Sequence, residues 1–246
     1  MTVVAVGSVR GAPGATSCAI GLSRSWPAPH VVLLEADPSG GVLAARTGLA
    51  HDPGLVSLAS NSRPGAPADL VAHGQPVSEQ LSVVCGPSSG TQARAALSGR
   101  SDEIVAAVRN APLPVVIDVG RVDQWSPALP LARAASMVVL VARPYLEQIE
   151  HLISSAESLR RTGLDLGVVL IGERPYGGHE VDDALGDSAH VLAVLPDDAR
   201  SADAIGHGLT RTAFGVRRSA YARALIDLSV LLNGLECAPV LENRSA

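Results

Sequence analysis

A short apolar strand, a glycine-bearing loop and a helix follow one another within the first 22 residues. The apolar segment covers residues 3–7, and a loop at residues 8–17 leads into a helical stretch at residues 18–22. In this arrangement, backbone N–H groups and the N-terminus of a helix can surround a phosphate group. The residues therefore predict a phosphate-binding loop.

The loop keeps the form of such a site but lacks its usual cation. The general pattern is G-x-x-x-x-G-K-[ST], in which the lysine reaches the phosphates. Gly14 and Thr16 fit this pattern, whereas Ala15 occupies the lysine position and Val9 that of the first glycine. All 19 basic residues of the chain are arginines, so no lysine elsewhere can take over the role.

Carboxylates follow two other apolar strands. Glu35 and Asp37 come directly after residues 31–34, and Asp118 ends a later apolar run. An acidic residue at such a strand end, followed by glycine, is typical of one that holds Mg²⁺ through water. Thr16 would ligate the same ion through its hydroxyl. Because ligands of open α/β sheets bind at the carboxyl ends of strands, these segments predict one site.

Seven apolar runs of strand length recur along the chain, and helical patterns lie between several of them. Most runs are too continuous to alternate, as expected for strands that are covered on both faces. The sequence therefore predicts one α/β domain of three layers, in which a mainly parallel sheet of seven or eight strands lies between helices. The runs are 3–7, 31–34, 81–85, 114–118, 137–141, 167–171 and 191–195.

Apolar periodicity predicts three helices, and composition divides the rest of the chain. The helices are expected at residues 92–109, 145–161 and 219–232. Residues 61–80 are rich in loop formers and predict a surface excursion with one short helix. The domain is expected to span residues 1–235, followed by a flexible tail at residues 236–246.

The composition excludes several classes of protein. A content of 47% hydrophobic and 17% charged residues suits a well-packed domain and not a disordered chain. A net charge of −5 argues against a protein whose main affinity is for nucleic acid. The three cysteines lack disulfide or metal-site spacing and no signal peptide is visible, so a cytoplasmic location is expected. No apolar run is long enough to span a membrane, although peripheral membrane contact stays open.

The loop resembles that of the MinD/ParA group of deviant P-loop ATPases, and the resemblance extends over about residues 2–232. In that group the loop reads roughly K-G-G-x-G-K-[ST]-[ST], and residues 10–17 line up with it. Arg10 then stands in place of the signature lysine. Ala15 stands in place of the lysine that holds the β- and γ-phosphates.

Other segments carry the same resemblance. Residues 35–38 match the acidic turn of the group, Asp118 matches its acidic strand end, and residues 195–204 resemble its late P-x-D segment. The altered loop and the ending at residues 118–121 look most similar to the TadZ/CpaE branch. Proteins of that branch localise Tad-type pilus or secretion machinery.

The resemblance implies a homodimer that binds ATP and Mg²⁺. Thr16 and Asp118 would serve the metal, and Asp37 would lie nearest the attacking water. Arg10 would reach across the dimer interface to the nucleotide of the partner subunit. The loop residues implied at the phosphates are Gly11, Ala12, Pro13, Gly14, Ala15, Thr16 and Ser17.

The missing lysine separates three functional hypotheses. One charge-assisted hydrogen bond contributes roughly 1.5–3 kcal/mol, so binding should weaken and hydrolysis should suffer more. The preferred hypothesis is a positioning or scaffolding protein with weak or lost ATPase activity, serving a Tad-type pilus or secretion apparatus. The alternative is an active chromosome or plasmid partition-type ATPase in which Arg10 replaces the lost cation. The third is an interaction module in which the loop is a relic that binds no ligand.

Overall fold

Eight strands of the described residues form one sheet. The structure, a computed structural model, describes residues 2–11, 14–207 and 218–235. The strands are β1 (Val3–Ser8), β2 (Val31–Glu35), β3 (Gln75–Ser78), β4 (Leu81–Val84), β5 (Val115–Arg121), β6 (Met137–Ala142), β7 (Leu166–Ile171) and β8 (His190–Leu195). Their order is β3-β4-β2-β5-β1-β6-β7-β8, and all neighbours are parallel except β3 and β4. The prediction of a mainly parallel sheet of seven or eight strands is confirmed.

Helices of the described residues cover both faces of this sheet. They are α1 (Ala15–Ser25), α2 (Leu43–Thr47), α3 (Leu55–Asn61), α4 (Gly90–Gly99), α5 (Ser101–Asn110), α6 (Leu129–Ala134), α7 (Leu146–Arg160), α8 (Gly178–Leu185), α9 (Ala199–His207) and α10 (Ala220–Asn233). The helices expected at residues 145–161 and 219–232 correspond to α7 and α10. Ser219 caps α10 by accepting a hydrogen bond from the Ala222 N–H, at 3.1 Å.

The helix expected at residues 92–109 is two helices, so the prediction of one continuous helix was wrong. Between α4 and α5, Arg100 has φ −142° and ψ 34°, outside the helical region. Gly99, which ends α4, is a poor helix former. The apolar periodicity hid this break because Leu97 and Ile104, one on each side of it, are both buried.

The segment at residues 61–80 contains more regular structure than expected. It holds a short 3₁₀ turn, Val71–His73, and the edge strand β3. β3 alternates between half-buried and exposed residues and runs antiparallel to β4. Pro76 lies within β3, which is compatible with an edge strand because proline has no backbone N–H to donate to a ladder.

Two apolar layers explain why the strand sequences are continuously hydrophobic. In β1, Val3 and Ala5 pack into the layer on one face of the sheet, whereas Val4 and Val6 pack into the layer on the other. The second layer also contains apolar side chains of α1 and α10. Since both faces are covered, neither set of alternating side chains in β1 needs to be polar.

The strand order brings the ends of the predicted site segments together. β5 lies between β2 and β1, so the carboxyl ends of all three strands lie side by side at one edge of the sheet. The loop before α1, the acidic turn after β2 and the end of β5 therefore meet there. Among the described helices, none is both long and apolar enough to cross a membrane.

Candidate functional site

Helix α1 begins with an uncapped N-terminus at the carboxyl edge of the sheet. Gly14, immediately before it, has φ +104°, a conformation that favours glycine. Gly14 has no side chain with which to cap the helix, and the first turn of α1 carries no acidic residue. The first-turn N–H groups and the positive end of the helix dipole are therefore directed toward the loop. This is the electrostatic environment that binds phosphate at a helix N-terminus.

Asp118 lies fully buried beside this helix. Its Oδ1 accepts a hydrogen bond from the Gly120 N–H at 3.1 Å, and its Oδ2 has no hydrogen-bond partner among the described residues. Burial raises the pKa of Asp118 from 3.8 to about 7. The nearby Thr16 hydroxyl and the Gly120 N–H oppose this rise, whereas the charges of Glu35 and Asp37 add to it. Asp118 is thus a buried carboxyl group near Thr16, and its Oδ2 is unpaired within the part of the chain that the structure describes.

Asp37 lies against the end of β5. Its Oδ1 accepts a hydrogen bond from the Ser39 N–H at 2.7 Å, which fixes the carboxylate at the start of the acidic turn. The carboxyl group lies so close to Gly120 that any Cβ there would overlap with it. Gly120 also has φ +59°, so both the space and the backbone conformation require glycine. Asp37 and the segment after Asp118 therefore form one wall of the site.

Glu35 has a structural position and does not line the cavity. Only 1% of its surface is exposed, and its Oε1 accepts hydrogen bonds from the N–H groups of Val42 at 2.6 Å and Leu43 at 2.9 Å. Its Oε2 accepts one from the Gly86 N–H at 2.8 Å. Burial raises the pKa of Glu35, these three hydrogen bonds lower it, and Asp37 raises it further. Glu35 therefore anchors the N-terminus of α2.

A cavity of about 510 Å³ lies between the loop, α1, the acidic turn and the end of β5. It brings together five of the predicted loop residues with Asp37, while Ala12 and Pro13 lie outside the described residues. Asp118 is fully buried and is not among the residues that line the cavity. The lining residues are Ser8, Gly11, Gly14, Ala15, Thr16, Ser17, Asp37, Ser39, Arg46, Gly120 and Arg121.

Arg10 is separate from this group. Its side chain is exposed, and its Nη1 is hydrogen-bonded to the Nε2 of His151 in α7. It does not line the cavity. Arg10, which lines up with the signature lysine in the resemblance described above, therefore lies outside the pocket that the loop and α1 of its own chain form. A role of Arg10 at the nucleotide of a partner subunit stays a prediction.

The side chains at this site fit an Mg²⁺ ion that arrives with a nucleotide. Among residues 2–11, 14–207 and 218–235, no group of three or more His, Cys, Asp or Glu side chains could hold a metal ion. Mg²⁺ in nucleotide sites takes most of its ligands from phosphates and water, with one or two from the protein. Thr16 can supply a hydroxyl, and the free Oδ2 of Asp118 can accept from a metal-bound water.

Five of the cavity residues were not among the predicted site residues: Ser8, Ser39, Arg46, Gly120 and Arg121. All of these except Arg46 lie within or directly beside a predicted motif, so their proximity to those motifs was the available signal. Arg46 follows Asp37 by nine residues and carries no motif. Its position depends on where α2 begins, which Glu35 fixes through a contact that sequence spacing does not reveal.

A second cavity, of about 550 Å³, lies at the ends of β6, β7 and β8. Tyr145, Pro196 and Asp197 contribute to its lining. Asp197 forms a two-pronged ion pair with Arg143, at 2.8 and 3.1 Å, that links the ends of β6 and β8. This pair raises the pKa of Arg143 and lowers that of Asp197. The segment predicted to resemble the late P-x-D motif therefore lies at the same edge of the sheet as the phosphate loop.

The sheet order, with the glycine loop between β1 and α1, defines a fold that is shared with the ParA and MinD ATPases. The ParA family ATPase from Chlorobium tepidum TLS matches with a TM-score of 0.76 and 14% identity, over 93% of this chain and 97% of that chain. The cell division ATPase MinD from Pyrococcus furiosus matches with a TM-score of 0.75 and 18% identity, over 96% and 99% of the two chains.

A third similar structure is the septum site-determining protein MinD from Pyrococcus horikoshii OT3, in complex with Mg-ADP. It matches with a TM-score of 0.70 and 18% identity, over 95% of this chain and 96% of that chain. At these identities the likeness shows the fold. No protein-family model matches the sequence, and no curated protein matches it.

Proposed function

We propose that this chain is a nucleotide-dependent positioning or scaffolding protein with weak or lost ATPase activity. The observation that carries the proposal is Asp118, a fully buried carboxyl group whose Oδ2 lacks a partner among the described residues and which lies beside the open N-terminus of α1. Leaving a buried polar atom unpaired costs about 1–3 kcal/mol. An Mg²⁺ ion and its water shell, arriving with a nucleotide, would relieve that cost.

The residues of the cavity have distinct roles in this proposal. The first-turn N–H groups of α1 would bind and orient the phosphates, with Gly11 and Gly14 allowing close approach. Thr16 and Asp118 would hold Mg²⁺, directly and through water respectively. When bound, the ion would neutralise phosphate charge. Asp37, held by the Ser39 N–H, would orient the attacking water if hydrolysis occurs.

Ala15 is the reason to expect weak turnover. Its methyl group lines the cavity at the position where the pattern requires a lysine ammonium. Stabilisation of transition-state charge carries most of the catalysis in phosphoryl transfer. Loss of the cation should therefore lower the hydrolysis rate more than it lowers nucleotide affinity.

The finer assignment to a Tad-type pilus or secretion apparatus rests on the resemblance of the loop and the β5 ending to the TadZ/CpaE branch. It predicts that the protein assembles with components of such an apparatus at its site in the cell. Deletion of the coding sequence in its host, followed by a count of surface pili or of secreted protein, tests this assignment. Unchanged piliation and secretion would contradict it.

An active partition-type ATPase is the second candidate, and Asp37 favours it. Its carboxylate remains in the cavity, next to the end of β5, although the loop lysine is gone. If the protein is an active ATPase, phosphate release should be measurable for the wild type and abolished by Asp37→Ala while ATP binding persists. Turnover that is equal in the wild type and Asp37→Ala would argue against this candidate.

The experiment that tests the proposal is calorimetry of ATP·Mg²⁺ binding to the wild type and to Ala15→Lys. We expect Ala15→Lys to bind about ten- to a hundredfold more tightly, because it restores one charge-assisted contact of roughly 1.5–3 kcal/mol. Micromolar binding by the wild type would mean that the site works without the lysine. Binding by Ala15→Lys alone would indicate a scaffold with an intact but uncharged loop. If neither protein binds, the nucleotide proposal fails.

A further inference from the structure

Arg46 is an arginine of the cavity that no motif accounts for. It lies in α2, is half-buried, and its Nη1 donates a hydrogen bond to the Ser17 Oγ at 3.3 Å. Ser17 belongs to the first turn of α1, whose N–H groups form the phosphate end of the cavity. The guanidinium of Arg46 is therefore positioned beside the helix N-terminus that would bind phosphate.

The guanidinium of Arg46 lies near α9 as well as near α1. A Cβ placed on Gly206 of α9 would lie 3.5 Å from both the Arg46 Nη1 and the Ser17 Oγ, which is an ordinary van der Waals distance. The head group of Arg46 is therefore close to the backbone of α9. On the other side, Glu35 anchors the start of α2 through two backbone hydrogen bonds. An arginine confined in this way loses less conformational freedom when it binds an anion.

The charges around the cavity show why a cation is needed there. Glu35, Asp37 and Asp118 lie close enough together for the charges of the first two to raise the pKa of Asp118. A polyphosphate entering beside these carboxylates would be repelled unless a positive charge offset them. Ala15 provides none.

The other arginines near the site are less well placed than Arg46. Arg10 is hydrogen-bonded to His151 and lies outside the cavity. Arg121 lines the cavity but is exposed to solvent, which screens its charge. Arg46 combines partial burial, a fixed position and contact with the first turn of α1.

We propose that Arg46 supplies, from helix α2, the phosphate-binding cation that Ala15 leaves out of the loop. This inference rests on the proposed function, and it assigns the ligand of Arg46 as the phosphate chain of a nucleotide. A planar guanidinium can contact two phosphate oxygens at once, so one arginine can replace much of the contribution of a lysine.

The test is calorimetry of ATP·Mg²⁺ binding to the full chain with Arg46→Gln. Glutamine keeps much of the side-chain length and can still donate to Ser17, but it removes the charge. We expect affinity to fall about ten- to a hundredfold, as for the loss of one charge-assisted contact. Arg46→Lys should weaken ATP binding less than Arg46→Gln does. The loss of affinity caused by Arg46→Gln should be larger for ATP than for AMP. Arg109→Gln is the matched control. Arg109 is exposed in α5, and α5 packs on the face of the sheet opposite to the face that α1 covers.

A double-variant cycle separates a binding role from a structural one. If Arg46 replaces the lysine, Arg46→Gln should weaken ATP binding by less than about threefold when Ala15→Lys is already present. An equal loss in both backgrounds, or an equal loss for ATP and AMP, would overturn the inference. The inference would also be overturned if Arg46→Gln bound ATP as tightly as a binding-competent wild type does. In that case the proposed function would still stand. If Ala15→Lys binds ATP and the wild type does not, the proposal for Arg46 fails but the proposed scaffolding function stands. If neither protein binds ATP, both proposals fail.

Discussion

The carboxyl group of Asp118 is fully buried, and burial raises its pKa from 3.8 in an unfolded chain to about 7. Between these two values the folded protein keeps a proton on Asp118 that the unfolded chain has released. The free energy of unfolding contributed by this group is therefore fully present below about pH 4 and falls as the pH rises toward 7. A metal ion bound near Asp118 would reverse the trend, since it favours the ionised form.

We expect Asp118→Asn to isolate this effect in protein that has been freed of metal by a chelator and of nucleotide by dialysis. Asparagine removes the ionisation, so at pH 8 the variant should be more stable than the wild type by about 2–4 kcal/mol. The difference should shrink as the pH falls toward 4. Urea denaturation of both proteins from pH 4 to 8 measures it. A difference in stability that does not change with pH would contradict the assigned pKa.

At the scale of elements, α2 is a helix of only five residues whose position depends on one buried carboxylate. Glu35 accepts hydrogen bonds from Val42 and Leu43 at its start and from Gly86 after β4. A short helix gains little stability from its own hydrogen bonds, so such an external anchor determines where it lies. Because Arg46 is in this helix, Glu35 also determines the position of the proposed phosphate contact.

Glu35→Gln tests this anchor. The NH₂ group of the new amide would face a backbone N–H, so at least one buried donor would be left unpaired. We therefore expect a loss of about 1–3 kcal/mol in the free energy of unfolding. Nucleotide affinity should fall as well, because α2 would no longer hold Arg46 beside Ser17. Glu150→Gln, at an exposed position of α7, is the control and should change neither quantity. A Glu35→Gln protein with wild-type stability would show that the carboxylate does not anchor α2.

At the scale of the whole molecule, the sheet could be predicted because its strands are buried on both faces. Residues 3–7 and 31–34 read as continuous apolar runs, and the carboxylates after such runs indicated which edge would hold the site. β3 was not predicted, since Gln75–Ser78 has few apolar residues and pairs with the sheet along one side only. Arg46 was not predicted either, because its position beside Ser17 depends on how α1, α2 and α9 pack together.

The dimer implied by the resemblance to MinD/ParA proteins can be tested through Arg10. This arginine is exposed and lies outside the cavity of its own subunit, which leaves it able to meet a partner. If it binds the nucleotide of a second subunit, the chain should be a monomer without nucleotide and shift toward a dimer with a non-hydrolysable ATP analogue and Mg²⁺. Light scattering after size exclusion would measure the shift, and Arg10→Ala should abolish it, whereas Arg109→Ala should not. A dimer that forms without nucleotide, and equally well in Arg10→Ala, would instead favour the interaction module whose loop is a relic.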